Sequence, residues 1–265
     1  MDFEFGETLE AKSFFERNPK FMPTFVELIE LANKYLGNRP APKDEVEEIC
    51  FGLGHACRQD YLEAIFLAVN GYGDGATKIT RSLFERSATL AYLVLNPTKV
   101  ERFVLYGAVQ EHRMLEAALK VVSESDFDAA VGPPNTVVEI RKRYKDAKPE
   151  FEIDRCTKCG TKRVNPSWDL DIAAMVHKLG GVYRQFYLPN YALPNSSIHA
   201  TLSSAAITPE LAQSRSEADL QVACASFLML LALRSQEAVF HLGFGEELEA
   251  CERAVSNLRP HRNGV

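Results

Sequence analysis

Apolar residues recur at helical spacing through most of the chain, and strict apolar–polar alternation lasts nowhere for more than a few residues. Two short amphipathic helices are predicted at Glu7 to Arg17 and Pro23 to Tyr35; Pro23 falls in a first turn, where its missing N–H is harmless. After a loop at Asn38 to Pro42, a long helix runs from Asp44 to Asn70. Gly71-Tyr72-Gly73-Asp74-Gly75 breaks it. The next helix, Ala76 to Leu95, stops at Asn96-Pro97, and Thr98 is suited to cap a further helix to Val122. Short connections imply that these three helices pack antiparallel.

Past Pro133-Pro134 the pattern predicts a basic helix from Val137 to Lys148, then an irregular excursion from Glu150 to Trp168. Short helices follow at Asp171 to Leu179, Val182 to Leu188 and Ser196 to Ala205, with turns at Leu188-Pro189-Asn190 and Leu193-Pro194-Asn195. Val222 to Leu233 is apolar except for Ser226, so Glu217 to Leu242 reads as a central buried helix, followed by an amphipathic one from Glu246 to Leu258. No internal repeat is present. The expectation is an all-α multi-helix bundle, one domain over residues 1–265, with an irregular Cys-containing insertion loop at 150–168.

One helix carries two stripes. Ile79, Leu83, Leu90 and Val94 make an apolar face, while Arg81, Glu85, Ala88 and Tyr92 share a second one. A solvated helix face usually holds interchangeable Lys and Glu; an Arg, a Glu and a Tyr in line amid apolar sequence fit the wall of a polar pocket. The bland alternative is an i,i+4 ion pair on the surface, worth a few tenths of a kcal/mol. Arg precedes Glu here, which is the weaker order for that purpose.

Composition narrows the setting. The chain has 265 residues, 46% of them hydrophobic and 25% charged, with a net charge of −6. Its pI of about 5.6 excludes a global nucleic-acid footprint. Arg141-Lys142-Arg143-Tyr144-Lys145 is the densest basic patch and reads as a solvated helix face. The acidic start Met1-Asp2-Phe3-Glu4-Phe5 is unlike a signal peptide, and the apolar run at Val222 is shorter than a bilayer span of ~20 residues. Six cysteines are too few for a disulfide scaffold. A cytoplasmic protein without a membrane partner is expected.

Other residues join the candidate chemistry. Glu111 falls on the apolar stripe of its helix, so it needs a partner such as Arg81, His112 or His199, or a helix rotation that returns it to solvent. His199 lies one turn into a helix capped by Asn195, where the positive helix end favours the neutral ring, and Ser196 lies three residues before it. A hydrogen-bonded structural histidine is the plainer reading. Cys156-Thr157-Lys158-Cys159-Gly160 has the shape of a zinc knuckle. A structural zinc needs two more ligands, for which Cys50, His55 and Cys57 are candidates; otherwise Cys156 and Cys159 are two loop thiols. Arg234 and His241 lie near Glu237 on the long C-terminal helix. No glycine-rich phosphate loop, H-E-x-x-H, G-x-S-x-G or Rossmann fingerprint is present.

The run Arg81-Ser82-Leu83-Phe84-Glu85, then Tyr92-Leu93 and Asn96-Pro97, then Ser196-Ser197-Ile198-His199, resembles a bacterial family of uncharacterised helical proteins. That likeness covers roughly residues 50 to 205 and implies no activity. Arg234 and His241, with six residues between them, resemble the Arg–His signature of HEPN-type helical bundles, many of which are dimeric ribonuclease toxins or phage-defence effectors. The resemblance implies a homodimer and metal-free RNA cleavage, with a neutral histidine as base and an arginine on the phosphate. Two functions are therefore expected. One is cleavage of RNA or a nucleotide by His199 and Arg81, with Glu85 orienting Arg81. The other is a non-enzymatic sensor or partner-binding protein in which the same residues, Arg81, Glu85, Tyr92, Glu111 and His199, bind a small anion or only brace the core.

Overall fold

The computed structural model describes residues 8–38, 41–156, 160–194 and 211–258. Among the described residues the fold is all-α apart from one small hairpin. In chain order come α1 (Thr8–Arg17), α2 (Phe21–Gly37), α3 (Glu45–Val69), α4 (Gly73–Leu95), α5 (Val100–Ala118), α6 (Glu124–Val131) and α7 (Val137–Ala147). Strands β1 (Glu152–Cys156) and β2 (Thr161–Val164) follow, then α8 (Ile172–Leu179), α9 (Gly181–Tyr187), a π turn (Leu188–Ala192), α10 (Leu211–Phe240) and α11 (Gly245–Ser256). Residues Met1–Asn96 with Ile172–Val265 form one compact unit, and Pro97–Asp171 form a second.

The first unit is built on α3, α4 and α10, which pack on one another. Asp44 starts α3 in extended geometry and its carboxylate accepts the Glu47 N–H at 2.9 Å, satisfying one of the orphan amides of the first turn. Tyr61 and Ser226 share a hydrogen bond of 3.2 Å between α3 and α10, and Ser87 Oγ donates to the Leu228 carbonyl at 3.3 Å between α4 and α10. A Cβ on Gly54 would stand 2.0 Å from Nε2 of the buried Gln236, so only glycine admits this approach of α3 to α10. Leu83, Phe84, Leu90, Leu228 and Leu233 are fully buried here. Over Ala218–Phe240, α10 is long and apolar enough to cross a membrane, more than the run from Val222 alone implied. Its apolar residues Val222, Ala225, Leu228, Met229 and Leu233 are spent inside the unit.

Around this centre, α2 and α11 flank α10, and Tyr35 on α2 donates from its hydroxyl to Glu237 at 2.7 Å. Segments α8, α9 and the π turn pack in succession, with α8 and the π turn against α4. The second unit pairs α5 with α7 around Leu115, Phe127, Val137 and Ile140. Its single tryptophan, Trp168, lies edge-on to Phe103 at 5.2 Å, and Arg102 Nε donates to the Trp168 carbonyl at 2.6 Å.

Several elements depart from the sequence expectation. Helix α4 begins at Gly73, because only Gly71 adopts the left-handed backbone (φ 83°) while Gly73 and Gly75 are tolerated in a first turn. Thr98 is not a cap; Pro97–Lys99 form a 3₁₀ turn, which proline's fixed φ favours, and α5 follows. Helix α5 packs on α7 within the second unit, whereas α3 and α4 pack with α10 within the first. Ser123 caps α6, a helix too short and acidic to show periodicity, by accepting the Asp126 N–H. Within the stretch read as an irregular loop, Glu152 pairs with Val164 and Asp154 with Lys162 in an antiparallel ladder. These strands are mostly polar, so they carry no apolar alternation to read.

Candidate functional site

Helix α4 presents Thr80, Leu83, Phe84 and Ser87 to the interior and leaves Arg81 and Glu85 half-buried on a flank. Arg81 Nη1 stands 3.8 Å from Glu85 Oε2, a loose ion pair whose side chains are 24% and 45% exposed. The π turn completes the flank. Its Tyr191 ring lies under Arg81, with the guanidinium carbon 4.6 Å from the ring centre, a cation–π distance. Tyr187 stacks on Tyr191 at 5.5 Å, and Phe84 meets Tyr183, Tyr187 and Tyr191 at 6.2, 6.4 and 6.0 Å. Phe84 therefore joins Tyr183, Tyr187 and Tyr191 into one aromatic floor, of which Tyr191 lies beneath Arg81.

The polar groups around that floor have distinct physical settings. Burial and then the Glu85 charge raise the Tyr191 pKa, against the opposing pull of Arg81, so the phenol stays protonated at neutral pH. Tyr183 is buried, its hydroxyl 2.9 Å from Ser87 Oγ and 3.1 Å from the Ser87 carbonyl, and burial raises its pKa strongly. Thr80 and Asn190, the sequence neighbours of Arg81 and Tyr191, are almost wholly enclosed. Among the described residues, Thr80 Oγ1 and Asn190 Oδ1 have no hydrogen-bond partner. Unpaired buried polar atoms are costly, so both mark places where the packing gives up stability.

On the α3 side of α4, Arg86 Nη1 donates to Asp60 Oδ1 at 2.6 Å. Asp60 is 5% exposed; burial raises its pKa while Arg86 and Ser82 counter it. The sequence reading missed this pair, as well as Tyr187 and Tyr191. Tyr183, Tyr187 and Tyr191 recur every four residues, a visible signal that the turn residues Pro189 and Asn190 obscured.

The remaining candidates divide. Tyr92 is 2% exposed and packs in the core with Lys178 over its ring at 5.9 Å, so it does not line an open wall. Glu111 pairs with Arg143, whose Nη2 and Nε donate to its Oε2 at 2.8 and 3.0 Å, and its side chain is 42% exposed; of its expected partners, His199 lies outside the described residues. The stripe on α5 therefore turns enough for Glu111 to reach α7 and solvent. His112 instead stacks on Tyr144 at 3.7 Å, and burial lowers its pKa. Arg234 pairs with Glu252 on α11, Glu237 accepts from Tyr35 and Gly243, and His241 follows the helix end with φ 49°. These three do not share a helical face, because α10 ends at Phe240.

Ser196, His199 and Cys159 lie outside the described residues, as does the side chain of Cys156. Of the zinc candidates, Cys50 and Cys57 are fully buried as core residues; burial raises both thiols, Cys50 to about 11. Among the described residues, no group of three or more His, Cys, Asp or Glu could hold a metal ion.

A family model described as a family of unknown function, DUF5677, matches residues 47–208. That span contains α4, the aromatic floor and the Ser196–His199 segment. No curated protein and no solved structure matches the chain.

Proposed function

The chain belongs to the DUF5677 family of unknown function, and from its α4 flank we propose that it is a binding protein for a nucleotide or a short stretch of RNA. The observation that carries this reading is Arg81 held over Tyr191 and beside Glu85. An arginine supplies phosphate recognition, and a neighbouring stacked pair of tyrosines supplies planar faces for a base. Glu85 stands beside the guanidinium and helps to orient it. Unlike a broad basic surface, such a site is compatible with the acidic whole-chain charge.

Fluorescence anisotropy with labelled RNA and with a labelled adenine nucleotide tests the proposal. Arg81→Ala and Tyr191→Ala should each weaken binding by about tenfold, the scale of one lost stacking or charge-assisted contact. Equal affinity in parent and variants would remove the site from consideration.

The second reading adds HEPN-like cleavage. Here His199 is the base, Arg81 the phosphate ligand, and the 2′-OH attacks the adjacent phosphate. Arg81 standing 3.8 Å from the Glu85 carboxylate is the observation in its favour. Incubation of total RNA with parent, Arg81→Ala and His199→Ala proteins separates the two: cleavage by the parent alone supports the enzyme, and binding without cleavage supports the sensor. The homodimer and reducing cytoplasm expected from the sequence belong to both readings.

A further inference from the structure

A second concave surface lies on the first unit, formed by α1, α2 and the C-terminal half of α3. It encloses about 660 Å³, within the ~300–1,000 Å³ of small-molecule sites. Phe15, Phe21 and Phe25 line it in succession, with ring centres 6.2 Å and 5.7 Å apart, and Leu62, Met22 and Phe66 complete the wall. Phe66 is 68% exposed and Met22 46%, so large apolar groups face water here.

The polar content of this wall is one-sided. Glu63 is the one charged residue among the described lining residues, and Asn70 the one amide. Gln59 donates to one Glu63 oxygen at 2.7 Å, which holds the carboxylate in place without neutralising it. No Lys, Arg or His lines the groove among the described residues. A ligand with a carboxylate or phosphate head would meet a like charge and no counter-cation. An alkylammonium head would meet a carboxylate and the faces of phenylalanine rings, which attract cations. Met22 can adapt its unbranched chain to an alkyl tail.

We propose that this groove binds a cationic amphiphile, an apolar chain ending in an ammonium group, with the head at Glu63 and the chain along Phe15, Phe25 and Phe66. The site is separate from the α4 flank, so its fate does not depend on nucleotide binding.

Isothermal titration of the full chain with dodecyltrimethylammonium, dodecanol and dodecanoate, each below its micelle concentration, tests the assignment. The expected result is saturable binding of one ammonium amphiphile per chain, with dodecanoate about tenfold weaker or absent. Glu63→Gln should weaken the ammonium probe about threefold to tenfold and leave dodecanol unchanged, whereas Phe66→Ala should weaken both. Both residues are exposed, and far-UV circular dichroism verifies that the variants fold. Equal affinity for the cation and the carboxylate overturns the proposal, as does indifference to Glu63→Gln. Sedimentation covers the other occupant: a dimer that Phe66→Asp dissociates, and that excludes the amphiphile, would make the groove an interface between copies and overturn the ligand assignment.

Discussion

Tyr191 shows how much a single side chain decides in this protein. Its ring carries Arg81 over it and stacks with Tyr187, so its ring and its hydroxyl have separable roles. Tyr191→Phe keeps the ring and should retain most nucleotide affinity, while Tyr191→Ala should lose it; anisotropy titration of both variants distinguishes stacking from hydrogen bonding. His112 makes a different residue-scale statement. Burial lowers its pKa below the ordinary 6.5, with Arg141 and Lys148 adding to the shift and Glu116 opposing it. A histidine depressed in the folded state contributes stability above its unfolded pKa, and that contribution is lost as pH falls through the folded value. As pH falls from the ordinary value of about 6.5 through the lower folded-state value, the second unit should therefore weaken, and His112→Phe, which keeps the stack on Tyr144, should flatten the decline. Urea midpoints followed by Trp168 fluorescence measure it. Arg81 and Glu85 were legible as a pair from their spacing. Glu111 was legible only as a choice between a buried partner and solvent, because helical phase alone cannot say that Arg143, on another helix, will hold it at the edge of α5.

At the scale of elements, helix ends and close approaches set the architecture. Asp44→Ala removes the acceptor for the Glu47 N–H and should cost about 1 kcal/mol, read as a lower urea midpoint with an unchanged slope. Gly54→Ala should cost about 1–3 kcal/mol by forcing buried Gln236 aside, and less than that in a Gln236→Ala background, which removes the amide that the added methyl would strike. The long helices were legible because caps, breakers and the 3.6-residue period agree: Asp44 before α3, Asn96-Pro97 after α4, and the apolar run inside α10. The π turn was not, since Pro189 reads as a chain turn, whereas the backbone widens there by one residue per turn and keeps the helical path. The β1–β2 hairpin escaped for the reason that its polar strands bury little on either face. Asp60 and Arg86 lie on different helices, and no local pattern pairs residues so distant in sequence.

For the molecule as a whole, the second unit interrupts the first between α4 and α8. The chain therefore leaves the ribosome in an order unlike the order in which its core is assembled. Helices α3 and α4 emerge early, with Leu83, Leu90, Ala64 and Ala68 on their apolar faces, yet the helix that they share as a partner, α10, follows only after all of Pro97–Asp171. The inserted unit, built from α5, α6, α7 and its hairpin, has contacts close in sequence and can close first; distant pairings such as Tyr61 with Ser226 are slow because a long loop must be drawn shut. During that interval the α3–α4 hairpin is an open apolar surface on an unfinished chain, the kind of surface that general chaperones hold.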